Sequence, residues 1–285
     1  MKHVRLIRHG ESAANAGKAS LDHSSIPLTP KGVEQARLVA GSFVQAPDLI
    51  VASPFSRAQA TAMQTLAAFP SAPFEIWPIH EFTYLEPARC FNTTVAQRRD
   101  WVERYWAKSD PAFTDGEGAE SFLDFISRAK SFLDRLAVHH AHDIIACSHG
   151  QFINAVAWLI EHNPQRIDGR AMVDWRESEI ANHVPNCGEC LLSKDPDEAG
   201  WRVNRPAPEK PRMDATWRVP GRAYQVARDP ERLLIDERAE ALSAAGYPTP
   251  NDDSAMYAEQ RLQEAKAAAC LTPLNIPARK PLGTE

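Results

Sequence analysis

The chain has 285 residues, 44% of them hydrophobic and 24% charged, and a formal net charge of −5. That length exceeds one typical domain without reaching two, and the composition is that of a globular protein able to bury a sizeable core. The mildly acidic balance gives no electrostatic reason to expect nucleic acid or an anionic membrane as partner, and no apolar run reaches the roughly 18 residues of a membrane span.

Residues 3–9 form a short β-branched and apolar run that ends in Arg8-His9-Gly10. The charged start carries no signal-peptide pattern, and five scattered cysteines (Cys90, Cys147, Cys187, Cys190, Cys270) suit a reducing compartment better than a disulfide framework. A cytoplasmic location is therefore expected. Thr29-Pro30 reads as an N-cap followed by a first-turn proline, opening a helix whose Val33, Ala36, Val39, Ala40 and Phe43 share one face. Residues 49–53 read as a second buried strand, about 56–68 as a helix, and 74–79 as a third strand. Residues 95–108 read as a helix carrying Trp101, Tyr105 and Trp106, which either shape a lid over a pocket or pack into the core. Over about 120–138, Phe122, Phe125, Ile126, Ala129, Phe132, Leu133 and Leu136 recur at three-and-four spacing, the mark of an amphipathic helix. Residues 143–148 form a compact buried strand leading into His149-Gly150, a helix follows over 152–161, and 184–193 with 201–204 suggest a closing hairpin.

Strands alternating with helices predict an α/β fold, a three-layer sandwich whose mostly parallel central sheet is flanked by helices. From Pro206 onward prolines cluster, and two polar helices are predicted near 230–245 and 253–269. The expected organisation is a domain over 1–205 and a Pro-rich linker with a helical C-terminal extension over 206–285.

In open parallel sheets ligands bind at the carboxyl edge of the strands. His9, the loop after Ser53, and His149 all lie at strand exits, so they can meet there. Phosphoryl transfer to a side chain requires a nucleophile, cations around the phosphate oxygens, and an acid for the leaving group. A neutral imidazole supplies the first and an arginine fork the second. Gly10 lets the chain turn and approach a phosphate closely. Taken singly, Arg57 also fits a solvated helix start and His149 a satisfied core histidine.

Arg8-His9-Gly10-Glu11-Ser12 with Asn15, Leu28-Thr29-Pro30-Lys31-Gly32 with Gln35-Ala36, Ala52-Ser53-Pro54 through Ser56-Arg57-Ala58 with Thr61-Ala62, and Ser148-His149-Gly150 stand in order over about residues 1–205. In this the chain resembles the histidine phosphatase superfamily, the phosphoglycerate mutase-like enzymes. The resemblance implies that His9 is the phosphorylated nucleophile, that Arg8, Arg57 and His149 form the phosphate pocket, and that Asn15 lines its substrate side. It places the general acid shortly after the third strand, where Glu81 is preferred over Glu86. It further implies phosphomonoester hydrolysis with no metal or other cofactor. The expected partner is a small phosphorylated substrate, a phosphoprotein also being compatible, and the C-terminal extension would suit a homodimer. A mutase needs extra cations for a second phosphate, for which Arg89, Arg98 and Arg99 are the candidates; a phosphate-recognising regulatory module is the reading from another class.

Three other features are assigned no chemistry. Cys187-Gly188-Glu189-Cys190 has metal-like spacing but no second pair and reads as a hairpin turn. His139, His140 and His142 suit a helix C-terminus, while Glu117, Glu120 and Ser121 suit a helix start.

Overall fold

A computed structural model describes residues 1–20, 22–198 and 200–205; the predicted linker and helical extension over 206–285, and the dimer expected through them, lie outside the described residues. In chain order the elements are β1 (Lys2–Arg8), α1 (Pro30–Gly41), β2 (Leu49–Ala52), α2 (Ser56–Ala68), β3 (Phe74–Ile76), α3 (Pro87–Cys90), α4 (Arg99–Lys108), α5 (Phe122–Val138), β4 (Asp143–Ser148), α6 (Gly150–His162), α7 (Gly169–Ala181), β5 (Glu189–Lys194) and β6 (Arg202–Asn204). They build one six-stranded sheet in the order β3-β2-β4-β1-β5-β6. The pairs β2–β3, β2–β4 and β1–β4 are parallel, whereas β1–β5 and β5–β6 are antiparallel.

The period of two along each strand divides the core between the two faces of the sheet. Val4, Leu6, Leu49, Val51, Ile144 and Ala146 join the larger cluster, with Phe122, Phe125, Phe132, Phe152 and Trp175. Ile7, Ile50, Ala52, Ile145 and Cys147 turn to the smaller one, with Ala62 of α2 and Val39 of α1 packed there. Covered on both sides, β2 and β4 need apolar residues at consecutive positions, which is why they read as unbroken hydrophobic runs.

Helix α1 starts as expected: Thr29 is its N-cap, with the hydroxyl accepting from Gly32 N–H, and Pro30 follows at the first position. At α5 the Ser121 hydroxyl accepts from Asp124 N–H. Three boundaries and one whole helix differ from expectation. Strand β3 ends at Ile76: Trp77 N–H still bonds Ala52 O, but Pro78 has no N–H with which to continue the ladder. The helix expected over 95–108 begins at Arg99, and the short α3 precedes it. The hairpin strand begins at Glu189, after a turn in which Cys187 has φ of 57°. Helix α7 was not anticipated at all. Among the described residues no helix is long and apolar enough to cross a membrane.

Candidate active site

Strands β1 and β4 pair with Arg8 opposite Ser148, so His9 and His149 leave the sheet at the same edge. His9 N–H donates to Ser148 O at 2.9 Å, and the two imidazole centroids lie 5.0 Å apart. Strand β2 borders β4 on its other side. Its exit residue Ser53 places its hydroxyl 2.8 Å from His149 Nε2. Arg57, in the first turn of α2, reaches back into the site: Nε donates to His9 Nε2 at 3.1 Å and Nη1 to His23 O at 2.7 Å.

These contacts settle the state of His9. A guanidinium can only donate, so Nε2 accepts and keeps its lone pair on that side. Nδ1 then carries the proton, donated to Gly10 O at 2.7 Å. Burial, followed by the charges of Arg57 and Arg8, holds the His9 pKa well below its ordinary 6.5. The ring is neutral at physiological pH, with a nucleophilic nitrogen facing a cation. His149 is likewise held neutral, by burial and then by Arg57. With Nε2 engaged by Ser53, its Nδ1 is buried without a hydrogen-bond partner among the described residues.

The loop that holds His9 is braced by the other sequence motifs. A Cβ on Gly10 would lie 2.3 Å from Gly32 O, and one on Gly32 would lie 2.0 Å from Glu11 O, so two glycines are needed for the loop to touch the start of α1. Thr29 N–H donates to Glu11 O, Glu11 N–H to Gln35 Oε1, and Gly10 N–H to Thr61 Oγ1. The threonines, glycines and glutamine of the motifs are thus scaffold around the two histidines.

Arg8 has a more retracted position. Its Nη1 donates to Val184 O at 2.6 Å and lies 3.0 Å from His183 Nε2, while its buried Nε has no partner among the described residues. Glu179 of α7 faces Arg8 and is ion-paired with Arg176; burial pushes its carboxyl up, against the pull of Arg176 and Arg8. Asn15 lies on the cleft wall, but its Oδ1 accepts from Ser12 N–H, the Ser12 hydroxyl and Asn186 Nδ2. Asn186 also donates to His9 O at 3.0 Å. Sequence reasoning missed Glu179, His183 and Asn186. They come from α7 and the turn before β5, and among these the one readable signal was Asp168, which caps α7 by accepting from Ala171 N–H.

Glu81 and Glu86 part company. Glu81 lines the cleft, its Oε1 accepting from Gln151 N–H at 3.1 Å and Phe82 N–H at 3.3 Å. Burial raises its pKa, with Arg57 and Arg8 pulling the other way. Its segment is anchored by Arg128, which donates to Pro78 O and His80 O and pairs with Glu120. Glu86 stands at the N-cap position of α3 without a side-chain capping bond and is not among the residues lining the cleft; its N–H donates to Asp115 Oδ2.

The cleft encloses about 270 Å³ and also includes Phe55, Tyr84, Leu85, Val95, Val102 and Arg98. The three aromatics of α4 are packing residues: Tyr105 is buried, Trp106 stacks on Trp175 at 5.7 Å, and Trp101 lies under Arg89 at 4.8 Å. The Cys187 turn serves the site through its backbone, donating to Arg8 O at 3.0 Å; burial pushes its thiol up to about 12, far from a metal-ligating thiolate. His139 caps the end of α5 and accepts from Ala141 N–H.

Known proteins share this chain's sequence pattern and fold. The family model described as histidine phosphatase superfamily (branch 1) matches residues 4–180. An adenosylcobalamin/alpha-ribazole phosphatase of Escherichia coli (strain K12) is 33% identical over 157 residues, covering 50% of this chain and 71% of its own. The crystal structure of the alpha-ribazole phosphatase from Shigella flexneri is 25% identical, with a TM-score of 0.54 over 72% of this chain and 96% of that one. A phosphoserine phosphatase from Entamoeba histolytica shares the fold at 22% identity, with a TM-score of 0.54 over 72% and 95% of the two chains. The chain belongs to the histidine phosphatase superfamily.

Proposed function

We propose that the protein hydrolyses small phosphomonoesters in two steps through a phosphohistidine on His9. In the first, Arg57 Nε turns from His9 Nε2 to a phosphate oxygen, and the freed Nε2 lone pair attacks phosphorus as the P–O ester bond breaks. The departing oxygen takes the proton of Glu81, which burial helps to keep protonated. Arg57, the Nε of Arg8 and His149 Nδ1 take the equatorial oxygens. In the second step water attacks phosphorus, the Nε2–P bond breaks, and the Glu81 carboxylate accepts the water's proton. Oε1 already holds two backbone N–H groups, so Oε2 is the oxygen that carries the proton in both directions.

The observation that carries this reading is a single one. Two buried nitrogens, Arg8 Nε and, with the Ser53 hydroxyl donating to Nε2, the Nδ1–H of His149, stand unpartnered among the described residues beside a neutral imidazole whose lone pair meets Arg57. Unsatisfied buried donors are costly, and an anion with several acceptor oxygens would satisfy both. The named activity of the Escherichia coli relative supports the same chemistry. A cytoplasmic setting belongs to this reading, supported by the four described cysteines being unpaired.

The test is rapid quenching with a labelled phosphomonoester in the presence of chelator. Acid-labile, base-stable phosphate should appear on the enzyme at the rate of turnover and be missing in His9→Ala, which should fold normally. Turnover by His9→Ala near the wild-type rate refutes the proposal.

A further inference from the structure

Arg57 and Glu81 of the proposed phosphate site line the cleft, so a leaving group would lie along its walls, and these have a definite chemistry. Phe55, Phe82, Tyr84, Leu85, Val95 and Val102 make them largely apolar and aromatic. Val95 is 58% exposed on that wall, an apolar side chain kept at the rim where a polar one would cost nothing in packing. Hydroxyl-rich leaving groups such as sugars would lose hydrogen bonds to water against such walls and regain few. The cleft measures about 270 Å³ and opens to solvent, so its walls contact the part of the leaving group nearest the phosphate, room for about one ring.

Ser12, Asn15, His23, Thr83 and Gln151 also line the cleft, and besides Arg57 the described lining holds a second arginine, Arg98. Arg98 is held by neutral acceptors, its Nε donating to Thr94 O at 3.2 Å and Nη2 to Thr93 O at 3.5 Å. Its neighbours are neutralised, Arg89 by Asp115 and Arg99 by Glu103. Arg98 has no carboxylate within 4.0 Å among the described residues, so its charge is oriented and uncompensated at the cleft wall. A planar fork in that state suits a carboxylate-like group.

Building on the phosphatase reading, we infer that the substrates are phosphomonoesters of small, mainly apolar ring alcohols bearing one anionic group, which Arg98 recognises. Arg98 is a specificity residue on the cleft wall, and acts on KM and kcat/KM for the anionic substrates.

Three probes with alkyl leaving groups test this on the full-length protein: 4-carboxybenzyl phosphate, benzyl phosphate and glycerol phosphate. Wild type should prefer them in that order, by ~10-fold or more in kcat/KM for the carboxylate, the scale of a charge-assisted hydrogen bond. In Arg98→Gln the carboxybenzyl-to-benzyl ratio should fall toward one through KM, and Arg98→Lys should restore part of it. A ratio unmoved by Arg98→Gln, or a preference for glycerol phosphate over benzyl phosphate, overturns the inference while leaving the phosphatase reading intact. Absence of turnover and of phosphohistidine with every probe removes both.

Discussion

Replacing Glu81 by glutamine isolates proton transfer from every other function of the site. The carboxyl group accepts two backbone N–H bonds through Oε1, from Gln151 and Phe82, and glutamine can keep both with its amide oxygen. Shape and the start of α6 are therefore preserved, and only the proton carried by Oε2 is lost. A positioned general acid contributes about 10²- to 10⁴-fold, or roughly 3–5 kcal/mol of barrier. That contribution matters in proportion to the basicity of the leaving oxygen. Glu81→Gln should thus lose about 10²- to 10⁴-fold on alkyl phosphates and far less in the phosphorylation step on nitrophenyl phosphate, whose leaving group needs no proton. The same variant lacks the base for the second step, so nitrophenyl phosphate should trap it as phosphohistidine, seen as a burst near one equivalent. Wild-type rates on alkyl phosphates should decline on the alkaline side of the raised Glu81 pKa, a limb that the variant should lack. Equal losses on both esters, or the same pattern in Glu86→Gln, would refute the assignment.

Three further outcomes follow from the geometry. Gly10→Ala and Gly32→Ala each drive a Cβ into backbone at 2.3 Å and 2.0 Å, and should lower urea-unfolding stability by about 3 kcal/mol, whereas Gly41→Ala, at the open end of α1, should raise it by up to about 1 kcal/mol. Removing the hydroxyl in Ser53→Ala frees the ring of His149 to reorient, and should cut kcat/KM by about 10-fold while urea unfolding changes by about 1 kcal/mol. For pH, His9 and His149 have folded pKa values well below 6.5, so the unfolded chain binds protons that the fold does not. Stability from these groups is present above about 6.5 and should be lost below it, by about 3 kcal/mol per pH unit for the two once the unfolded histidines are charged; a flat denaturation midpoint between pH 7 and 5 would contradict their neutral burial.

What the sequence made legible follows from where the physical constraint is local. Leu49-Ile50-Val51-Ala52 is apolar at every position because both faces are covered, and Thr29-Pro30 states its own helix start. The stripe of α5 was equally plain because most of its apolar positions are buried. Helix α7 gave no such signal, for it buries only Met172 and Trp175 and its polar and apolar residues are mixed around the axis. The same distinction holds in the site. His9 and His149 are legible because strand exits place them, and Arg57 because a helix start follows one. Glu179, His183 and Asn186 act through tertiary approach alone, and nothing in their local sequence marks them. Asn15 lies on the cleft wall with its amide oxygen turned to Ser12 and Asn186, an orientation that local sequence does not specify.

The position of Arg8 shows how the fold sets the charge of the site. Burial weakens the hold of both Arg8 and Arg57 on their protons, Arg57 to about 10, yet both remain cations at neutral pH. The two acids facing them, Glu81 and Glu179, are pushed the opposite way by burial. Were both acids fully ionised, the four charges would cancel and a dianionic phosphate would gain little by entering. In the proposed mechanism the upward shift of both acids limits the negative charge that a dianionic phosphate meets, and the same shift favours the proton that Glu81 gives the leaving oxygen. One physical cause, removal of carboxyl groups from water beside buried arginines, would then serve both affinity for the phosphate and its transfer.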